Sequence, residues 1–165
     1  MKPRIYLAGP DVFRPDSRLF GDKLKGICAQ HGLVGIFPSD GGAADPSASD
    51  ILKTCIDHMD ACAGIIANIT PFRGASMDPG TAVEIGYALA RKMPVVLWSE
   101  DTRTLKDRAA AYFNGDLRQL DTLRDPDGML VEDMGLVENV MVAGAGGWQV
   151  HQTFDAAAKH MATLQ

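Results

Sequence analysis

Short apolar runs closed by glycine or proline alternate with helix-spaced segments through the first hundred residues, and this alternation constrains the fold more than any other feature. Arg4-Ile5-Tyr6-Leu7-Ala8 stops at Gly9-Pro10, and the run 33–37 stops at Pro38. Gly64-Ile65-Ile66-Ala67-Asn68-Ile69 gives way to Thr70-Pro71, and 94–98 is a fourth run. Continuous apolarity, rather than every second residue, is the pattern of a strand buried on both faces in a parallel sheet. Between these runs, 16–30 places Leu19, Phe20, Leu24, Ile27 and Cys28 at helical spacing. The segment 49–60 does the same with Ile51, Leu52, Cys55, Ile56 and Met59, and 79–91 reads as a third helix. Together they predict an α/β fold, a doubly wound, mostly parallel five-stranded sheet of flavodoxin-like or Rossmann-like architecture with helices on both faces. Further on, 134–142 and 148–164 read as helices separated by the break Ala143-Gly144-Ala145-Gly146-Gly147. The charge-rich segment 101–132 reads as a short helix and a linker with no site role. A chain of 165 residues fits one domain, 1–165.

Charge and composition narrow the function classes. The net charge is −5 and the Lys and Arg residues are scattered, which leaves no footprint for a nucleic acid backbone. No apolar run approaches the ~20 residues of a membrane span, and the first strand begins almost at the N-terminus, so a cytoplasmic protein without membrane partners is expected. Cys28, Cys55 and Cys62 form no C-x-x-C pair and read as reduced thiols. His31, His58, His151 and His160 lack metal-ligand spacing and read as helix-surface residues. There is no Walker motif, no G-x-S-x-G elbow and no G-x-G-x-x-G fingerprint.

In parallel α/β sheets ligands bind beyond the carboxyl ends of the strands, where loops 9–13, 38–45 and 70–78 converge. Asp78-Pro79 reads as an N-cap and first helical residue, because proline lacks an N–H that a helix start leaves unpaired anyway. Glu84 then falls about one and a half turns into the helix. A glutamate on a helix is ordinarily solvated, but Ile85, Gly86 and Ala88 beside it are small or apolar. Glycosyl transfer needs a carboxylate beneath an anomeric carbon and a donor to hold that carboxylate in place. Glu84 is the candidate nucleophile. Tyr6, near the end of the first strand, is either the donor or a core tyrosine with a satisfied hydroxyl. Phe13 either stacks on a base or simply packs.

Four stretches, in order, resemble the nucleoside 2-deoxyribosyltransferase family: Tyr6-Leu7-Ala8-Gly9-Pro10-Asp11-Val12-Phe13, Ala67-Asn68-Ile69-Thr70-Pro71-Phe72-Arg73-Gly74, Asp78-Pro79-Gly80-Thr81-Ala82-Val83-Glu84-Ile85-Gly86-Tyr87, and Asp133-Met134-Gly135-Leu136-Val137-Glu138-Asn139-Val140-Met141. The resemblance implies a retaining exchange of nucleobases on 2′-deoxynucleosides, with Glu84 forming a deoxyribosyl ester that a second base attacks. It implies that Tyr6 orients Glu84, that Asp78 binds a sugar hydroxyl, that Asn139 reaches the same sugar from a neighbouring subunit of a dimer, tetramer or hexamer, and that neither a metal nor an organic cofactor is needed. Asp11 and Phe13 would line the base site with Gly9 and Asp40 beside them, and Phe72 and Arg73 would sit in a mobile loop over it. Many relatives carry Asp or Asn near the leaving base where this chain has Cys55, so Asp50, Asp57, Asp11, Asp40 or water would have to supply the proton.

The nearest rival is an N-glycosidase that hydrolyses nucleosides or deoxynucleoside 5′-monophosphates. The related deoxynucleotide N-hydrolases look similar around the tyrosine and glutamate but carry Ser where this chain has Asp78 and Asn139. An ionised Asp78 would repel a substrate phosphate at short range, which favours the free nucleoside. A third reading, a non-catalytic nucleotide sensor of flavodoxin-like shape, would need neither Glu84 nor Asn139.

Overall fold

The computed structural model describes residues 1–41 and 45–165; the middle of the loop 38–45, residues 42–44, lies outside them. Five strands, β1 (Arg4–Ala8), β2 (Val34–Ile36), β3 (Gly64–Asn68), β4 (Val95–Trp98) and β7 (Val150–His151), form one sheet in the order β2-β1-β3-β4-β7. Every neighbouring pair is parallel, and Tyr6 lies opposite Ile36 on one side and Ile65 on the other. The helices are α1 (Ser17–Gln30), α2 (Ala48–Asp60), α3 (Pro79–Ala90), α4 (Leu105–Tyr112), α5 (Val140–Ala145) and α6 (Phe154–Thr163), and a short 3-10 turn, Pro10–Phe13, follows β1.

Side chains alternate across the sheet and divide the core in two. Ile5, Leu7, Ile66, Val96 and Trp98 pack on one face with Leu24 and Cys28 of α1 and with Phe154, Ala157 and Met161 of α6. Tyr6, Ala8, Ile65, Ala67 and Leu97 pack on the other with Met59 of α2 and with Ile85 and Ala88 of α3. Helices therefore cover both faces. The chain winds from β1 outward to β2 and then returns past β1 to β3. That reversal opens a crevice at the carboxyl ends of the strands, where an α/β sheet binds its ligands.

Local chemistry sets the helix starts around that crevice. Ser47 caps α2 in a reciprocal box with Asp50. Asp78 caps α3, accepting the Thr81 amide at 2.8 Å, with Pro79 in the first turn.

The C-terminal third departs from the expected pattern. Of 134–142 only the end is helical, because Gly135 adopts φ 68° and Glu138 turns its side chain inward instead of continuing a helix. The glycine-rich break also falls later, since α5 runs through Ala145. Gly146 then passes so close to β4 that a Cβ there would lie 2.4 Å from Leu97 Cγ. Residues 148–164 are not one helix: β7 completes the sheet first, placing His151 on a strand, and Thr153 caps α6 through the Ala156 amide. Within 101–132 the short helix is α4, but the linker carries a hairpin of β5 (Arg118–Gln119) and β6 (Leu123–Arg124). Among the described residues no helix is long and apolar enough to cross a membrane.

Candidate active site

A cleft of about 630 Å³ opens between the turn after β1, the loop after β2, α2 and the start of α3. Val12, Phe13, Ile51, Leu52, Met59 and Val83 make its walls largely apolar, and Glu84 and Asp78 bring the charge. Gly9 lines the cleft where the chain crosses Asn68 so closely that a Cβ would lie 2.7 Å from the Asn68 Cβ.

Tyr6 lies under this cleft with none of its surface exposed, and its Oη donates to Glu84 Oε1 at 2.6 Å. The strand directs Tyr6 towards the α2–α3 face, and Glu84 meets it from the second turn of α3. Burial pushes the Glu84 carboxyl up to about 7, against the pull of the Tyr6 hydrogen bond, and the charge of Asp78 adds to the rise. Burial and then the Glu84 charge push the Tyr6 phenol far above its ordinary range, so it remains a neutral donor. The Cys55 thiol lies beside the Tyr6 phenol and lines the cleft; burial raises its pKa as well. A carboxylate near neutrality with one firm donor and an open cleft before it can act as a nucleophile or as a base.

Asp78 joins this group. Both of its cap bonds, from the Thr81 amide and hydroxyl, fall on Oδ2, so Oδ1 is unengaged among the described residues. Phe13 forms part of the cleft wall, and its ring stacks on Phe72 with centroids 5.2 Å apart. The Arg73 guanidinium lies over the Phe72 ring at 4.6 Å, on a backbone with φ 56°. Phe72 and Arg73 thus back the Phe13 wall and are not among the residues lining the cleft.

Three further expected site residues, like Phe72 and Arg73, are not among those lining the cleft. Asp11 is buried in a second, smaller cleft of about 210 Å³ beyond Phe13, where it accepts Asn68 Nδ2 at 2.9 Å. Burial raises its pKa and the Asn68 bond opposes the rise. Asp40 is held by Lys25 at 2.8 Å and accepts the Phe37 amide, which fixes the end of β2 and does not line the cleft. Asn139 caps α5 and is absent from the lining of its own chain's cleft. Among the described residues, no group of three or more His, Cys, Asp or Glu is placed to hold a metal ion.

The structure adds three charged residues that sequence reasoning passed over. Glu132 accepts Asn139 Nδ2 at 2.7 Å and the Val140 amide at 3.0 Å. Glu138 is wholly buried and ion-paired with Arg108 of α4 at 3.1 Å. The available signal was an acidic residue inside the apolar stretch Leu136-Val137-Glu138-Asn139-Val140-Met141. An isolated charge in such a setting is costly unless it is paired.

The chain shares 35% identity with the uncharacterized protein C191.05c of Schizosaccharomyces pombe over 187 aligned positions, covering 97% of this chain and 89% of that one. A solved 2-desoxiribosyltransferase from Leishmania mexicana superposes with a TM-score of 0.79 at 31% identity, covering 98% of this chain and 97% of that chain. Residues 5–141, which include Tyr6, Asp78, Glu84 and Asn139, match the nucleoside 2-deoxyribosyltransferase family model. The chain belongs to the nucleoside 2-deoxyribosyltransferase family.

Proposed function

We propose that this protein transfers 2-deoxyribose between nucleobases through a covalent ester on Glu84. The observation that carries this reading is the Tyr6–Glu84 pair: a carboxyl raised to about 7, gripped by one phenol and facing an apolar cleft. Ionised Glu84 would attack the anomeric carbon as the glycosidic bond breaks, and the departing base would take a proton from water, since Asp11, Asp40, Asp50 and Asp57 are not among the residues lining the cleft; the incoming base would return a proton to water. A second base would then attack the ester, and Glu84 would leave as carboxylate with configuration retained overall. Tyr6 would hold the attacking oxygen in line, and Asp78 Oδ1 would be free to accept a sugar hydroxyl. The carboxylates suit the positive charge of an oxocarbenium-like transition state.

The alternative is hydrolysis of the same ester by water. Apolar walls favour transfer, because Phe13, Ile51, Leu52 and Val83 offer a flat base more than they offer water. The charge of Asp78 favours a free nucleoside over a phosphorylated one. A homo-oligomer would complete the site. Met134 and Met141, on either side of Asn139, expose 66% and 72% of their surface, apolar area that a second copy would cover while receiving Asn139.

Incubation with 2′-deoxyinosine and free adenine, followed by chromatography, tests the reading. Deoxyadenosine formed in preference to free deoxyribose supports exchange. Deoxyribose alone would assign hydrolysis, and no turnover would leave a sensor.

A further inference from the structure

Among the described residues the Glu138 carboxylate makes four hydrogen bonds, and all four partners are donors. Oε1 accepts Ser76 Oγ at 2.5 Å and the Asn139 amide at 3.0 Å. Oε2 accepts the Met77 amide at 3.1 Å and Arg108 Nη2 at 3.1 Å. Two of these donors lie in the turn that delivers Asp78 to the start of α3, and a third is the backbone of Asn139. Arg108 is only 2% exposed, and its Nε and Nη1 have no partner among the described residues, which leaves Glu138 as its counter-ion. Behind Asn139, Glu132 takes one hydrogen of the side-chain amide, while Asn139 Oδ1 accepts the Met141 amide.

We infer that Glu138, backed by Arg108, is a positioning residue that fixes in one carboxylate both the Asp78 turn and the Asn139 turn of a deoxyribosyl site. The inference rests on the functional reading above, in which Asp78 and Asn139 both serve the sugar. One rigid carboxylate then sets two polar groups that are remote in sequence and belong, in an assembly, to two different clefts. Small misplacement at either is expensive, since an error of about 1 Å in a reacting geometry costs on the order of a hundredfold in rate. The segment 101–132 thereby gains a role: α4 brings the guanidinium that pairs with Glu138, and Glu132 aims the Asn139 amide.

The chemistry of the substitution makes the test selective. In Glu138→Gln one oxygen becomes an NH₂ group, and whichever way the amide lies it faces two donors. One pair must separate, either Ser76 with Asn139 or Met77 with Arg108. In the exchange assay, run well below the melting temperature, folded Glu138→Gln should lose about 10- to 100-fold in kcat/KM. Ser76→Ala leaves the ion pair intact and decides the matter if Glu138→Gln does not fold. It should lower kcat/KM several-fold at a temperature where it is still fully folded, beyond a small loss of stability from the missing hydrogen bond, whereas a purely structural role would move stability alone. Asp78→Asn and Asn139→Ala are run alongside. If both of those keep wild-type kinetics, the functional reading fails and takes the inference with it. If they are impaired while Ser76→Ala, and Glu138→Gln where it folds, keep wild-type kcat and KM, the inference alone is overturned.

Discussion

Two buried glutamates show how one side chain is used in opposite ways within this molecule. Glu138, ahead of α5, has four donors among the described residues, one of them the Arg108 guanidinium, two on each carboxylate oxygen. Glu84, in α3, has one firm donor, the Tyr6 phenol, and otherwise faces an open cleft. Burial without full compensation lifts the Glu84 carboxyl to about 7. The saturated carboxylate holds segments together. The unsaturated one keeps electron pairs available for chemistry.

Substitutions at the two positions should separate kinetics from stability. Glu84→Ala removes the nucleophile and should lose at least about 10³-fold in exchange rate while the protein stays folded. Near-wild-type turnover would remove Glu84 from its role. Glu138→Ala should instead act first on stability, because stranding the Arg108 charge costs about 3–5 kcal/mol. Denaturant titration reads it, and a loss under about 1 kcal/mol would mean that Glu138 is not the anchor described.

Smaller effects sharpen the contrast. Tyr6→Phe removes the bond that holds the Glu84 pKa down, so the acidic limb of the pH–rate profile should move to higher pH. The rate should fall about 10- to 100-fold, less than for Glu84→Ala, because the phenol orients and does not bond to sugar. An unmoved limb would break the Tyr6–Glu84 coupling.

The last effect concerns stability against pH. The Glu84 pKa in the folded protein lies above its ordinary 4.5, so the folded state prefers the proton. The stabilisation from that proton is fully present below about 4.5 and is lost as pH rises through about 7. Glu84→Gln cannot ionise and should melt a few degrees higher than wild type at pH 8, with the gap closing at pH 4.5. An equal gap at both values would show that Glu84 is not strained by burial.

Much of this contrast could be read from the chain, and the unread part has physical reasons. The first four strands and three helices follow from continuous apolar runs and helical spacing, because each is long enough to show a period. Strand β7 has two residues, Val150–His151, too few for any pattern, and its partner β4 lies some fifty residues earlier, Leu97 opposite Val150 and Trp98 opposite His151. Tyr6, Glu84 and Phe13 are legible as candidates because strand ends and helix starts in an α/β fold point to one crevice, whereas Gly9 and Asp78 enter as site residues through the family resemblance; the structure brings the five together around one cleft. Asp11 and Asp40 have the right chemistry in the right loops, yet Asn68 and Lys25 claim them, and nothing local in sequence announces partners 57 and 15 residues away. Glu138 sat in plain view beside Asn139. Its value depends on Ser76, Met77 and Arg108, which only the tertiary structure brings together.

The most direct measurement is covalent trapping with a slow, fluorinated 2′-deoxynucleoside, followed by peptide mass mapping. A deoxyribosyl adduct on Glu84, released when a free base is added, is the expected result. An adduct on any other residue, or none in a preparation that exchanges bases, would contradict the ester on Glu84.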